Sequence, residues 1–210
     1  MPPAGEPGPT ARLDAALAAI DAANAEDPNT IVHEGVEQPK ELLHGRLVTE
    51  WVRRLDPDAS EPQMLAARAH HFRRWRSPRD EYPAGRAGYL RWRAAAARRQ
   101  ADDVGQVLRR HGYEGDSVER VGAIIRKEGR TRDAAVQTHE DALCLVFLET
   151  QLADVAVRLG DDHAREVLVR TLAKMSPRAI EAALALDLPP HAARLLHDAA
   201  TGDPPEQRER

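Results

Sequence analysis

The chain has one cysteine, three lysines and no long apolar run, and each shortage excludes something. A single cysteine, Cys144, in 210 residues rules out an intramolecular disulfide and fits a reducing compartment. It sits among Leu143, Leu145 and Val146, where a buried thiol is ordinary core material. No run of about twenty apolar residues occurs, so no membrane span and no membrane partner are expected. Met1 to Thr10 is rich in Pro and Gly and has no apolar centre, so it does not read as a secretory signal. The expected address is the cytoplasm. There is no G-x-x-x-x-G-K-[ST], no G-x-G-x-x-G after a strand, no C-x-x-C, no G-x-S-x-G and no H-E-x-x-H. The familiar nucleotide folds and thiol chemistries are thereby set aside, and no nicotinamide or flavin is expected. No segment alternates in the period-2 manner of a strand, and there is no internal repeat.

What is present is the helical period. Leu13, Leu17 and Ile20 mark one face of a first helix that runs to about Ala25 and is stopped by Glu26-Asp27-Pro28-Asn29. Thr30 to Pro39 reads as a loop. A second helix, from about Lys40 to Leu55, carries Leu43, Leu47, Val48, Trp51, Val52 and Leu55 on one stripe. A third starts near Ser60, with Pro62 in its first turn, and the apolar spacing extends it through Phe72 to Trp75. Ser77 to Pro83 breaks the pattern. Further helices are expected from about Ala84 to Arg110, from Asp116 to Lys127 and from Thr138 to Leu159. Shorter ones follow, one opened by Ser176-Pro177. The reading is a single globular all-α, multi-helix domain over residues 11–200, with disordered tails at 1–10 and 201–210.

Net charge is −4, which argues against general nucleic-acid binding by the whole chain. The 27 arginines and the abundant alanine are what a GC-rich coding sequence gives. The charge is nevertheless uneven. From Arg68 to Arg99 ten arginines face two acids, Asp80 and Glu81, a local charge of about +8 against about −12 for the remainder. Arg73, Arg74, Trp75, Arg79, Tyr82, Arg86 and Arg91 lie in this stretch. Guanidinium forks suit phosphate, and aromatic faces stack on bases or on guanidinium planes. The bland reading is that these arginines pair with the acidic remainder and pack their stems over apolar surface.

Nine histidines are many for this length. His111, His163, His191 and His197 share no pattern. The informative ones are His44, His70, His71 and His139, with the carboxylate Asp141. His44, Val48, Trp51 and Leu55 follow i, i+4, i+7, i+11. Met64, Arg68, His71 and Trp75 repeat that spacing on helix three, and Asp141, Leu145, Leu148 and Leu152 repeat it later in the chain. Ionisable groups on apolar faces need partners, since an unpaired buried polar group costs on the order of 1–3 kcal/mol. If they meet, His44, His70, His71 and Asp141 are reasonable ligands for one divalent metal ion. The plainer alternatives are hydrogen-bonded core histidines and a capping box, Thr138-x-x-Asp141, in which Asp141 serves only a helix end.

These same residues carry a resemblance. Gln38-Pro39-Lys40-Glu41-Leu42-Leu43 with Gly45-Arg46, Ala66 through Trp75, Pro78-Arg79, Tyr82-Pro83, Arg86 through Arg93, Gln137 through Asp141 with Cys144 through Glu149, and Lys174-Met175-Ser176 resemble the domain of unknown function 4202 family. The likeness covers about Arg12 to Pro190. It implies an all-helical domain found mainly in bacteria and fungi and supplies no reaction. A more distant likeness is to metal-dependent phosphohydrolases with a His-Asp doublet and their helical fold. By position, His44 matches the first His of that pattern, His70 and His71 the doublet, and Asp141 the last Asp. The doublet's Asp is missing, because Phe72 follows His71. The missing ligand argues against a binuclear pair and leaves one metal, or none.

Three functions follow as expectations. One is a metal-dependent phosphohydrolase-like enzyme acting on a nucleotide or other phosphate ester, with an anionic small molecule as its partner. Another is a non-catalytic nucleotide- or RNA-binding module built on residues 73–93. The third is a protein-interaction domain that offers an arginine face to an acidic partner.

Overall fold

A computed structural model describes residues 8–202, so the tails read at 1–10 and 201–210 lie for the most part outside the described residues. The fold class is all-α, as expected. Helix α1 spans Pro9–Asn24 and α2 Lys40–Leu55. Helix α3 is Glu61–Arg68, α4 Gly85–Arg110, α5 Gly115–Ile125 and α6 Ala134–Leu159. The last three helices are α7 (Asp161–Leu172), α8 (Pro177–Leu184) and α9 (Pro190–Thr201). No helix among the described residues is long and apolar enough to cross a membrane. The chain divides into two compact units, one up to His139 and one from Glu140 onward, with the division inside α6.

Three local expectations are corrected. Thr30 to Pro39 is a β-hairpin, β1 (Thr30–His33) against β2 (Val36–Pro39), rather than a loop. Its turn is Glu34-Gly35, both at positive φ (51° and 77°), as a two-residue hairpin turn requires. Four-residue strands with half their positions exposed leave too short a pattern to read. Helix α3 stops at Arg68, not Trp75, because His71 (φ 62°) and Arg73 (φ 48°) are left-handed. Met64, Arg68, His71 and Trp75 therefore do not share one helical face. Helix α6 begins four residues before Thr138. Asp133 caps it, its Oδ1 accepting the amides of Ala135 (3.1 Å) and Val136 (3.4 Å). Thr138 and Asp141 are thus interior, and the capping-box reading falls.

In the first unit, α1, α3, α4 and α5 enclose a core of Ile20, Leu65, Phe72, Val104, Leu108, Val121, Ile124 and Ile125, each at most 2% exposed. Full burial of one such side chain stabilises by about 1.5–3 kcal/mol. Helix α2 lies on α3 at unusually short range. A Cβ on Gly45 would stand 2.4 Å from the carbonyl oxygen of Arg68, so only glycine permits this approach of α2 to the end of α3. The seam is tied by Arg68, whose Nε donates to Thr49 Oγ1 (3.1 Å) and whose Nη1 donates to both oxygens of Asp21 on α1 (3.0 and 2.8 Å).

In the second unit α9 packs against α7 and α8. Gly160 (φ 79°) separates α6 from α7, and Ser176 caps α8 by accepting the amide of Ala179 at 3.3 Å, as its Ser-Pro start suggests. Cys144 is buried, as expected.

Candidate metal centre and its cavity

The site grows from the end of α3. After Arg68 the chain must bury Phe72 (1% exposed) and still deliver His70 and His71 to α2. It does so with a left-handed residue on each side of Phe72, a conformation that costs on the order of 1 kcal/mol apiece for residues with a Cβ. The bend is pinned from outside, because the Arg73 amide donates to Oδ1 of the buried Asn24 at 3.1 Å. Helix α2 is placed from its own start. Asp27, 5% exposed, accepts the Glu41 amide at its Oδ2 (3.1 Å), and the Lys40 amide donates to the Asn29 carbonyl (2.9 Å). The α1–β1 turn therefore caps α2, which has no side-chain cap of its own.

The result is four imidazoles in one place. His44 and His71 stack with centroids 4.7 Å apart, His70 and His71 lie 4.1 Å apart, and His139 meets His70 edge-on at 5.1 Å. His139 Nε2 is 3.2 Å from His70 Nδ1. Of the four candidate ligands read from the sequence, His44, His70 and His71 lie together here, with His139 beside His70. The carboxylate among them is Glu41, one helical turn before His44. Ligand atoms of Glu41, His44 and His71 all fall within 4.8 Å of one another. Asp141 belongs to the second unit, where its Oδ1 accepts the Ser176 amide at 2.9 Å.

This group is short of partners within the protein. Glu41 Oε2 lies 3.2 Å from His71 Nδ1 in a geometry that makes no hydrogen bond, and it and the buried His44 Nδ1 accept or donate none elsewhere. Burial raises the Glu41 carboxyl to about 7, against the lowering influence of Arg74. Burial, with Arg74 next, lowers His44 to about 3, and burial also lowers His139 to about 3. Desolvation and the neighbouring imidazoles hold His70 and His71 well below the usual histidine range. Neutral imidazoles keep a lone pair available, which is the form a cation binds. Two imidazole nitrogens and a carboxylate oxygen suit Zn²⁺, Mn²⁺, Fe²⁺ or Co²⁺.

Beside this group is a cavity of about 290 Å³ walled by His70 and His71 on one side and α4 on another. Arg74, Arg93, Arg126 and Lys127 line it, and none of its described lining residues is a carboxylate. The Arg74 guanidinium lies over the Trp92 ring at 4.7 Å, and the Trp92 indole N–H donates to the Ser77 carbonyl at 2.8 Å. Of the seven residues expected to bind phosphate, Arg74 alone is in the cavity lining. Arg79 donates to the carbonyls of Tyr82 (2.8 Å) and Pro83 (2.9 Å) and so closes its own loop. The Arg73 guanidinium lies 5.4 Å from the Phe72 ring and reaches Glu26 at 3.8 Å. Arg86 and Arg91 are exposed on α4, and Trp75 and Tyr82 are half-buried away from the lining. Trp92 and Arg93 fall in the 73–93 stretch that the sequence points to, whereas Glu41, Gln100, Arg126 and Lys127 carry no such expectation as site residues. A signal existed for Glu41, since Glu-x-x-His places both groups on one helical face.

The fold and this His/Glu group define an all-helical protein with a preformed, buried candidate cation site. The chain belongs to the DUF4202 family, a domain of unknown function, whose family pattern matches residues 14–196. No curated protein and no solved structure matches it.

Proposed function

We propose that the protein is a cytoplasmic, metal-dependent phosphohydrolase-like enzyme acting on a small phosphate ester, a nucleotide among them. One observation carries the reading. A buried carboxylate and two imidazoles, with Glu41 Oε2 and His44 Nδ1 unsatisfied, adjoin a cavity whose described lining holds four cationic side chains and no carboxylate. Glu41, His44 and His71 would hold one divalent ion, and Glu41 supplies the carboxylate that the His-Asp likeness lacks after His71. Such an ion polarises a phosphoryl oxygen and lowers the pKa of water. Arg74 and Arg93 orient the phosphate from the cavity side. His70, braced by His139, fixes the ring of His71 from behind. The single buried cysteine supports a reducing setting.

The test is metal content of the purified chain, measured by plasma mass spectrometry alongside His71→Ala and Glu41→Gln. Near-stoichiometric metal in the wild type, lost in both variants, is expected. Saturating metal should raise Tm by about 5–10 °C, the effect of a ligand at about a hundred times its Kd. Phosphate release from a panel of esters by the loaded protein should then fall about 10³-fold in His71→Ala. A wild type that takes up none of Mn, Fe, Co or Zn sinks the metal reading and leaves a binding module.

A further inference from the structure

The cavity contains one buried polar group that the metal site does not use. Gln100 is 5% exposed, lines the cavity, and its Nε2 has no hydrogen-bond partner. Residues 92, 96 and 100 form one buried face of α4. Trp92, on that face, is satisfied by Ser77, and Ala96 has no polar side-chain atom. A buried donor without an acceptor is rare and costly in a folded chain, so this one calls for an acceptor from outside.

The type of acceptor follows from the surroundings. A carboxamide N–H is a neutral donor and suits a carbonyl or hydroxyl oxygen, whereas the charge-assisted donors are Arg93 and Arg74. Arg93 precedes Gln100 by seven residues, about 10 Å along the helix axis. One inorganic phosphate is too small to meet both ends. A volume of about 290 Å³ is at the small end for ligand pockets and suits a small molecule.

We infer that Gln100 determines specificity, donating its carboxamide N–H to a neutral oxygen on the organic part of a phosphate ester whose phosphate lies against Arg74 and Arg93. This rests on the phosphate-ester reading above. It makes the pocket selective for elongated esters, of nucleoside monophosphate or pentose phosphate length, over inorganic phosphate.

The experiment is calorimetric titration of the Mn²⁺-loaded full chain with uridine 5′-monophosphate, ribose 5-phosphate and inorganic phosphate. Wild type, Gln100→Met and Arg74→Ala are compared. Gln100→Met should weaken at least one ester about tenfold and leave inorganic phosphate within about twofold, as loss of one neutral hydrogen bond predicts. It should also raise Tm by about 2–4 °C, because the unpaired buried donor is gone. Arg74→Ala should weaken the esters and inorganic phosphate alike. Unchanged ester affinity in Gln100→Met, equal loss for ester and inorganic phosphate, or a wild type that prefers neither ester overturns the role of Gln100 and leaves the phosphate reading standing. Absence of all phosphate binding by metal-loaded protein overturns both. If the chain takes up no Mn²⁺, the metal reading fails, and the same ester-to-phosphate comparison on the metal-free chain decides the role of Gln100.

Discussion

Two neighbouring regions of the first unit treat their polar groups in opposite ways. Between Ser77 and Gly85 the loop closes on itself through side-chain bonds. Arg79 bonds the carbonyls of Tyr82 and Pro83, Arg99 reaches back from α4 to Ser77 Oγ at 2.9 Å, and Trp92 takes the Ser77 carbonyl. Around the cavity, Glu41 Oε2, His44 Nδ1 and Gln100 Nε2 are buried and unsatisfied. Both regions are rich in arginine. Basic charge density therefore does not locate the site; the coincidence of a His/Glu group, a cavity and unsatisfied buried atoms does so better, since Arg12 Nε and Arg73 Nε are unsatisfied elsewhere. One region pairs its polar groups internally; the other leaves some of them unpaired, which is the basis of the proposed ligand site.

The sharpest way to break this contrast is to damage the self-satisfied loop. A Cβ on Gly88 would meet the Pro83 carbonyl oxygen at 1.8 Å, so Gly88→Ala must displace the loop or the first turn of α4. Denaturant unfolding should show a loss of about 3 kcal/mol, while metal content holds. Exchanging two arginines gives a finer test. Arg79→Ala takes the donor from a part-buried and an exposed carbonyl and should cost about 1 kcal/mol with phosphate affinity unchanged. Arg74→Ala should cost less stability than that and weaken phosphate about tenfold. Equal binding losses in the two variants would refute the division.

The smallest effect sets the scale for ordinary pairing. Asp133 caps α6 and accepts two bonds from Arg120, one of them at 2.9 Å. The Arg120 bond, foremost, holds its carboxyl at about 2, below the usual 3.8. A folded-state pKa below the unfolded one stabilises fully above about pH 4, and the stabilisation is lost as pH falls through about 2. Asp133→Asn should lower stability at pH 7 by about 1 kcal/mol. In melts taken between pH 5 and pH 2 it should lose less stability on acidification than the wild type.

Much of the scaffold was legible because its signals are local. Helix α2 runs over the expected residues, since an apolar stripe between Pro39 and Asp56-Pro57 leaves little choice of ends. His44 was legible for the same reason, falling on a stripe whose other members are buried. Helix α3 was read too long because Phe72 and Trp75 continue its apolar period, and no local signal says that His71 and Arg73 turn left-handed. That bend is imposed by tertiary contacts such as Asn24. Glu41 was missed for a related reason. A carboxylate in a helix's first turn reads as a solvated favourable charge, and its burial comes from packing that the sequence does not spell out. Gln100 gives no sequence signal, because an unsatisfied amide exists only once its surroundings are built.

The contact of Gly45 with the Arg68 carbonyl has a consequence for which ion the proposed site would accept. Backbone resting on backbone has no rotamer to change and no side chain to compress. The gap between His44 and the bend carrying His71 is thus gauged by a hard stop, as a caliper is. Core substitutions that loosen side-chain packing can soften the protein without opening that gauge. A larger residue at position 45 would widen it directly, so ionic radius, more than affinity at large, is the property this seam would control at the proposed site.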